Sequence, residues 1–194
     1  MGALLTASGL LWAAAVDSRY AAVVAGGVVL DVLVYTIWLK RRTPFSILIG
    51  GLSGGMPALA GRVLATGKID EVGLLLAVGV LLWIPTHIMT FSIKYQSDYA
   101  RAGIPTFPST YGVPVTRTVI GISTFLAVVV LFLAGWLIAI PHSLLQISAV
   151  IGLALLVLVI FSLVRPGKVI NFILYKGASI YMLLTMVLMV MGGI

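Results

Sequence analysis

The chain has 194 residues, of which 61% are hydrophobic and only 9% charged, with a formal net charge of +7 and a mean hydropathy of +1.21. So few charges cannot keep the surface of a soluble domain wet, so the composition excludes a soluble globular protein and points to a polytopic membrane protein. Cysteine is absent, which excludes disulfides, thioether-linked heme and cysteine metal sites.

In chain order, the apolar runs fall at residues 2–16, 20–39, 45–65, 72–93, 117–140, 143–164 and 169–191. Each approaches the roughly 20 residues that a helix needs to cross the hydrocarbon. The runs are continuous rather than alternating, which predicts an all-α bundle of about seven transmembrane helices and no β-barrel. The whole of 1–194 reads as one membrane domain, with no soluble domain or internal repeat. The first run is short for a span and has no basic region before it, which argues against a signal peptide. A chain that opens inside a hydrophobic helix is expected to lack residues upstream.

With seven spans the connections alternate between two sides. Nine of the twelve basic residues (Lys40, Arg41, Arg42, Lys94, Arg101, Arg117, Arg165, Lys168 and Lys176) fall on one side, and Arg19, Arg62 and Lys68 on the other. Such an imbalance directs the first group to the cytoplasm, so the net charge reports topology in a cell membrane and not nucleic-acid binding.

Polar residues collect at two places on that side. Asp31, Tyr35, Trp38 and Arg42 share a helical face that ends at Lys40, Arg41 and Arg42. Asp31 lies about 13 Å before Lys40 at helical rise, near mid-bilayer, and needs a partner there. As a bare charge run, Lys40–Arg42 is an ordinary positive-inside anchor; the second polar stripe makes it a candidate site. That stripe is Trp83, His87, Lys94 and Asp98, which run down one helix into a Pro-rich loop at 96–116, with Pro85 expected to kink the helix where the stripe begins. Lys94 and Asp98 are spaced i,i+4 and are expected to pair. His87 is either a functional intramembrane group or a neutral histidine bonded to a neighbouring helix, and spacing leaves both open. The loop aromatics Tyr95, Tyr99, Phe107 and Tyr111 favour burial at the interface over disorder. "GGLSGG" at 50–55 contains overlapping GxxxG spacings, whose ordinary meaning is close helix packing.

Arg and Lys match phosphate oxygens, and a carboxylate suits Mg²⁺ bridged to a substrate phosphate. A cavity open to water at one end and to lipid at the other fits an isoprenoid diphosphate. The segments "YTIWLKRRTPFSILIGGLSGGMPALAG", "WIPTH", "DYARAGIPTFP" and "LYKGASIYMLL" resemble, in that order, the protoheme IX farnesyltransferase (heme O synthase) family of UbiA-type intramembrane prenyltransferases. The resemblance implies a nine-helix fold, of which this chain would supply helices 3 to 9. It also implies transfer of a farnesyl group from farnesyl diphosphate to a vinyl group of heme B, giving heme O, with Mg²⁺ assisting ionisation of the diphosphate.

By the same resemblance Asp98 is the carboxylate of the family's second acidic motif, a metal ligand and catalytic group together with Lys94. Lys40, Arg41 and Arg42 with Tyr35, Tyr99 and Arg101 are expected around the diphosphate, and Trp83 and His87 on the heme side. Thr86 stands where the family has a second proline, and Thr106–Phe107 where it has Met-Leu. The family's first acidic motif has no counterpart, so this chain alone is expected to be inactive. A quinone, aromatic or lipid acceptor on the same fold remains an alternative, as does a small transporter or assembly subunit with Asp31 and Pro85 at a midplane site.

Overall fold

The computed structural model describes residues 1–193. Its helices are α1 (Gly2–Val16), α2 (Ser18–Val28), α3 (Ser46–Thr66), α4 (Glu71–Lys94), α5 (Gln96–Arg101), α6 (Phe107–Leu137), α7 (His142–Val164) and α8 (Lys168–Gly193). α2 continues without interruption into a π-helical segment, Val29–Leu39. Six helical stretches are long and apolar enough to cross a bilayer: Ser18–Leu39, α3, α4, α6, α7 and α8. α1, at 15 residues, is shorter; its rise of about 22 Å falls short of a hydrocarbon core of about 30 Å.

Local chemistry sets the ends. Asp17 accepts from the Tyr20 N–H at 2.8 Å and Asp70 from the Gly73 N–H at 2.9 Å, capping α2 and α4 by satisfying amides that lack intrahelical partners. Thr106 and Ser109 form a reciprocal capping box that starts α6. α6 contains one break, at Gly112 (φ 83, ψ 160). That backbone region is closed to side chains with a Cβ, so glycine is what permits the bend before Pro114.

The expected loop at 96–116 is therefore mostly helical, and the irregular connection shrinks to residues 102–106. Of its aromatics Phe107 buries, at 7% exposed, with its ring 5.1 Å from Phe45 and 5.3 Å from Tyr111, while Tyr95 and Tyr99 are half-buried and Tyr111 stays 44% exposed. A second expectation fails at the same place. α4 stops at Lys94 and Tyr95 leaves helical geometry (φ −108, ψ 28), so the i,i+4 relation of Lys94 to Asp98 is lost. Asp98 pairs with Arg101 instead, one turn on in α5.

Two apolar cores hold the bundle. Met89, Ile120, Leu131, Leu155, Leu174 and Tyr181 join α4, α6, α7 and α8, while Val23, Leu59, Ala60 and Val63 join α2 to α3. The cores meet where α3 packs on α4. A Cβ on Gly55 would lie 2.5 Å from the Ala77 carbonyl oxygen, and one on Gly51 would lie 2.6 Å from Leu81 Cδ1. The close-packing reading of "GGLSGG" thus holds, because small residues let backbones approach where a side chain would collide. Large apolar side chains face outward all round, among them Val150 and Val164, as a surface solvated by lipid requires.

Candidate functional site

The polar groups of the first stripe come from the π-helical segment and the turn after it. Its i→i+5 bonding, seen where the Lys40 N–H reaches the Tyr35 carbonyl at 2.8 Å, turns the chain by less per residue than an α-helix does. Asp31, Tyr35, Trp38 and Arg42 therefore do not share the face that α-helical spacing predicts. Tyr35 and Lys40 line a cavity of about 160 Å³ together with Ser92 and Tyr99, and the Lys40 ammonium sits 5.6 Å from the Tyr35 ring centre. Trp38 is 55% exposed, and Arg41 and Arg42 are exposed as well, outside this cavity. Asp31 lies 3.4 Å from the Ser53 hydroxyl, but that hydroxyl donates its one hydrogen to the nearer Gly50 carbonyl at 2.8 Å, so Ser53 does not supply the partner expected for the carboxylate. Asp31 and Ser53 both border a larger, mainly apolar cavity of about 720 Å³ between α2 and α3.

The second stripe is more ordered. The His87 ring is held between two aromatic rings, Trp83 at 4.8 Å and Tyr175 at 4.6 Å. The Trp83 indole N–H donates to the Ala178 carbonyl at 2.8 Å, which locks that ring against α8. His87 Nδ1 lies 3.2 Å from the Ser179 hydroxyl. That hydroxyl already donates to the Tyr175 carbonyl at 3.0 Å. The Ser179 hydroxyl thus bridges the Tyr175 carbonyl and His87 Nδ1, and it holds the imidazole in orientation from α8. Thr86 takes a partner on α6, with its hydroxyl 2.6 Å from that of Thr124, so the position works as an interhelical hydrogen bond rather than a second kink.

Asp98 lies beside an open cavity of about 300 Å³ lined by Phe91, Tyr95 and Tyr99. Tyr99 borders both this space and the Tyr35–Lys40 cavity. Lys94 goes elsewhere. Its ammonium lies 5.0 Å from the Tyr95 ring centre and 5.3 Å from that of Phe172, and it lines a fourth cavity with Arg117 and Lys168. The geometry thus joins Tyr35, Lys40 and Tyr99, and joins Trp83 and His87, but it separates Lys94 from Lys40 and leaves Arg101 as the partner of Asp98.

The donor set does not suit a metal by itself. Among the described residues there is no group of three or more His, Asp, Glu or Cys able to hold one. Asp98 is engaged by Arg101, and Asp31 lies beside Ser53. Magnesium keeps several of its waters and is held by one or two carboxylates together with substrate phosphates, and here the Asp98 carboxylate is already paired with Arg101.

Spacing did not single out Tyr175 or Ser179. They stand four residues apart on α8, within "LYKGASIYMLL", and only the docking of α8 on α4 gives them a role.

The fold and the site define a polytopic helical membrane protein with aromatic and basic groups collected toward one end of the bundle. Residues 1–168 match the UbiA prenyltransferase family, and the chain belongs to that family. Protoheme IX farnesyltransferase of Archaeoglobus fulgidus is 37% identical over 178 residues, covering 92% of this chain and 57% of the relative. That of Rhizorhabdus wittichii is 40% identical over 149 residues, 77% of this chain and 49% of the relative. That of Desulforudis audaxviator is 36% identical over 162 residues, covering 81% and 50%. The chain spans about half the length of these curated relatives. No solved structure matches it.

Proposed function

We propose that this chain provides the heme-facing half of a heme O synthase active site, in which a farnesyl group passes from farnesyl diphosphate to a vinyl group of heme B. The observation that carries the proposal is the Trp83–His87–Tyr175 stack, which clamps the imidazole between two rings and holds its edge in a fixed direction. A clamped imidazole suits heme, because its ring nitrogen is a usual partner for iron and the edges of the flanking rings offer apolar contact to the macrocycle. The names of the relatives support the same reading.

In the reaction the allylic C–O bond of farnesyl diphosphate breaks and diphosphate leaves. The vinyl π-electrons then form the new C–C bond, and the cation left beside the porphyrin ring is quenched by water. Lys40, beside Tyr35 and Tyr99, offers positive charge to the leaving group. The apolar cavity running from Asp31 between α2 and α3 accommodates an isoprenoid chain. Asp98 is proposed as one ligand of a site whose other carboxylates the described residues do not supply, and no step is assigned to a metal here. The active face is proposed to open to the cytoplasm, following the nine-to-three division of basic residues.

The test is heme titration of the purified chain in detergent. Wild type is expected to bind ferric heme B with a shifted Soret band, and His87→Ala to lose the shift while keeping its helical circular dichroism. Ser179→Ala releases Nδ1 and should move the band without abolishing binding. An identical spectrum in wild type and His87→Ala would return His87 to a packing role. Prenylation of an aromatic or quinone acceptor without heme binding would favour the alternative acceptor.

A further inference from the structure

The fourth cavity, about 390 Å³, lies where α4, α6 and α8 come together, and it is lined by Ile93, Lys94, Arg117, Lys168, Asn171 and Phe172. We propose that this cavity holds a phosphate group carried by a hydroxyl-bearing headgroup, at a site separate from the Tyr35–Lys40 cavity and independent of prenyl transfer.

Three basic side chains border the cavity and no carboxylate does. The ordinary explanation for basic residues at a bundle end is anchoring, with each side chain stretched toward water. Arg117 does the opposite. It is 8% exposed and turned inward, where one terminal nitrogen donates to the Ser162 carbonyl at 3.1 Å and to the Ser162 hydroxyl. Its Nε is buried and has no partner. A buried cationic donor left unmade is costly, and the cavity that Arg117 lines is where an anion would satisfy it. Lys168 opens α8, so the positive end of that helix adds to the field. Lys94 is held against the Phe172 and Tyr95 rings.

Asn171 narrows the ligand. Its amide nitrogen donates to the Thr90 carbonyl at 2.8 Å, while its buried Oδ1 has no partner. An acceptor oxygen repels phosphate and needs a donor, so the side chains that line the cavity call for a ligand with a hydroxyl beside its phosphate. Basic pockets between helices at the membrane surface are suited to lipid headgroups of this kind. Free hydrogen phosphate carries its own P–OH donor and shares this chemistry, so the test separates the two sources.

The test uses the purified 194-residue chain in nanodiscs of phosphatidylcholine, doped stepwise with phosphatidylglycerol, and in a parallel arm in phosphatidylcholine discs with added sodium phosphate. Retained lipid is read by native mass spectrometry and the thermal midpoint by tryptophan fluorescence. Wild type is expected to retain phosphatidylglycerol over phosphatidylcholine and to gain stability from it. Lys94→Gln and Lys168→Gln should each weaken that retention by about tenfold, the loss of one charge-assisted bond. Lys68→Gln, which removes one charge at the opposite end, should leave it unchanged. Stabilisation by sodium phosphate that Lys168→Gln removes would assign the same site to the free anion. An absence of preference in wild type, a preference that survives both Lys94→Gln and Lys168→Gln, or one that Lys68→Gln lowers equally overturns the proposal. Because heme and farnesyl diphosphate are absent throughout, its failure is separate from any failure of the heme reading.

Discussion

At the scale of single residues, the two ion pairs make opposite predictions. Asp98 and Arg101 are a surface pair, with side chains 52% and 78% exposed, and such pairs contribute little because water and salt screen them. Asp98→Asn is therefore expected to change unfolding stability by less than about 0.5 kcal/mol. If Asp98 serves the diphosphate, the same substitution should abolish prenyl transfer in a complemented, active enzyme. Normal turnover in that variant removes Asp98 from the site. Asp70 is different. It accepts from both Arg62 Nε and Nη2, the latter at 2.8 Å, and it caps α4 as well. The Arg62 hydrogen bonds hold its carboxyl below the usual aspartate range. A lowered folded-state pKa stabilises the protein above the unfolded value, about 3.9, and that contribution is lost as pH falls through the folded value. Asp70→Asn should thus cost about 1–2 kcal/mol near neutrality, from cap and pair together. The cost should shrink as wild type and variant converge below about pH 4. A cost that persists unchanged into acid would show that the pair is not its origin.

At the scale of helices, α3 and α4 depend on the absence of side chains. Gly55→Ala puts a Cβ 2.5 Å from a backbone oxygen of α4, and backbone cannot yield as a flexible side chain can. The expected loss is about 1–3 kcal/mol, the usual cost of overpacking. Gly61→Ala, on the same helix with nothing within 4 Å of the added atom, should be neutral or slightly stabilising, since alanine favours helix. Equal effects of the two in a thermal unfolding series would mean that the contact is not tight. The same helix pair shows what a sequence can disclose. The two overlapping glycine spacings were readable as packing, but which helix they meet was not. The π-helical segment shows the converse: apolar content predicted a helix at 29–39, while the α-helical face assumed for Asp31, Tyr35, Trp38 and Arg42 dissolved once the bonding became i→i+5.

At the scale of the molecule, the basic residues divide between the two ends of the bundle. Lys40 shares a cavity with Ser92 and Tyr99, and Lys94 shares one with Arg117 and Lys168. At the other end Arg19 donates to the Gly67 carbonyl and Arg62 pairs with Asp70. Single cysteines at Ser97, in α5, and Ser143, at the start of α7, are expected to label from opposite faces of sealed vesicles, with Ser97 on the cytoplasmic face. Labelling of both from one face contradicts a crossing by α6. The sequence alone determined the membrane class, the helical segments and the two charge groups, because hydrophobic length and local charge are properties of contiguous residues. Only the tertiary structure decided the partnerships: Tyr175 and Ser179 on His87, Arg101 rather than Lys94 on Asp98, and Lys94 beside Arg117 instead of Lys40. Those depend on where α8 docks and on where α4 stops, and both are settled by the packing of side chains from different helices, as far apart in sequence as Trp83 and Ala178.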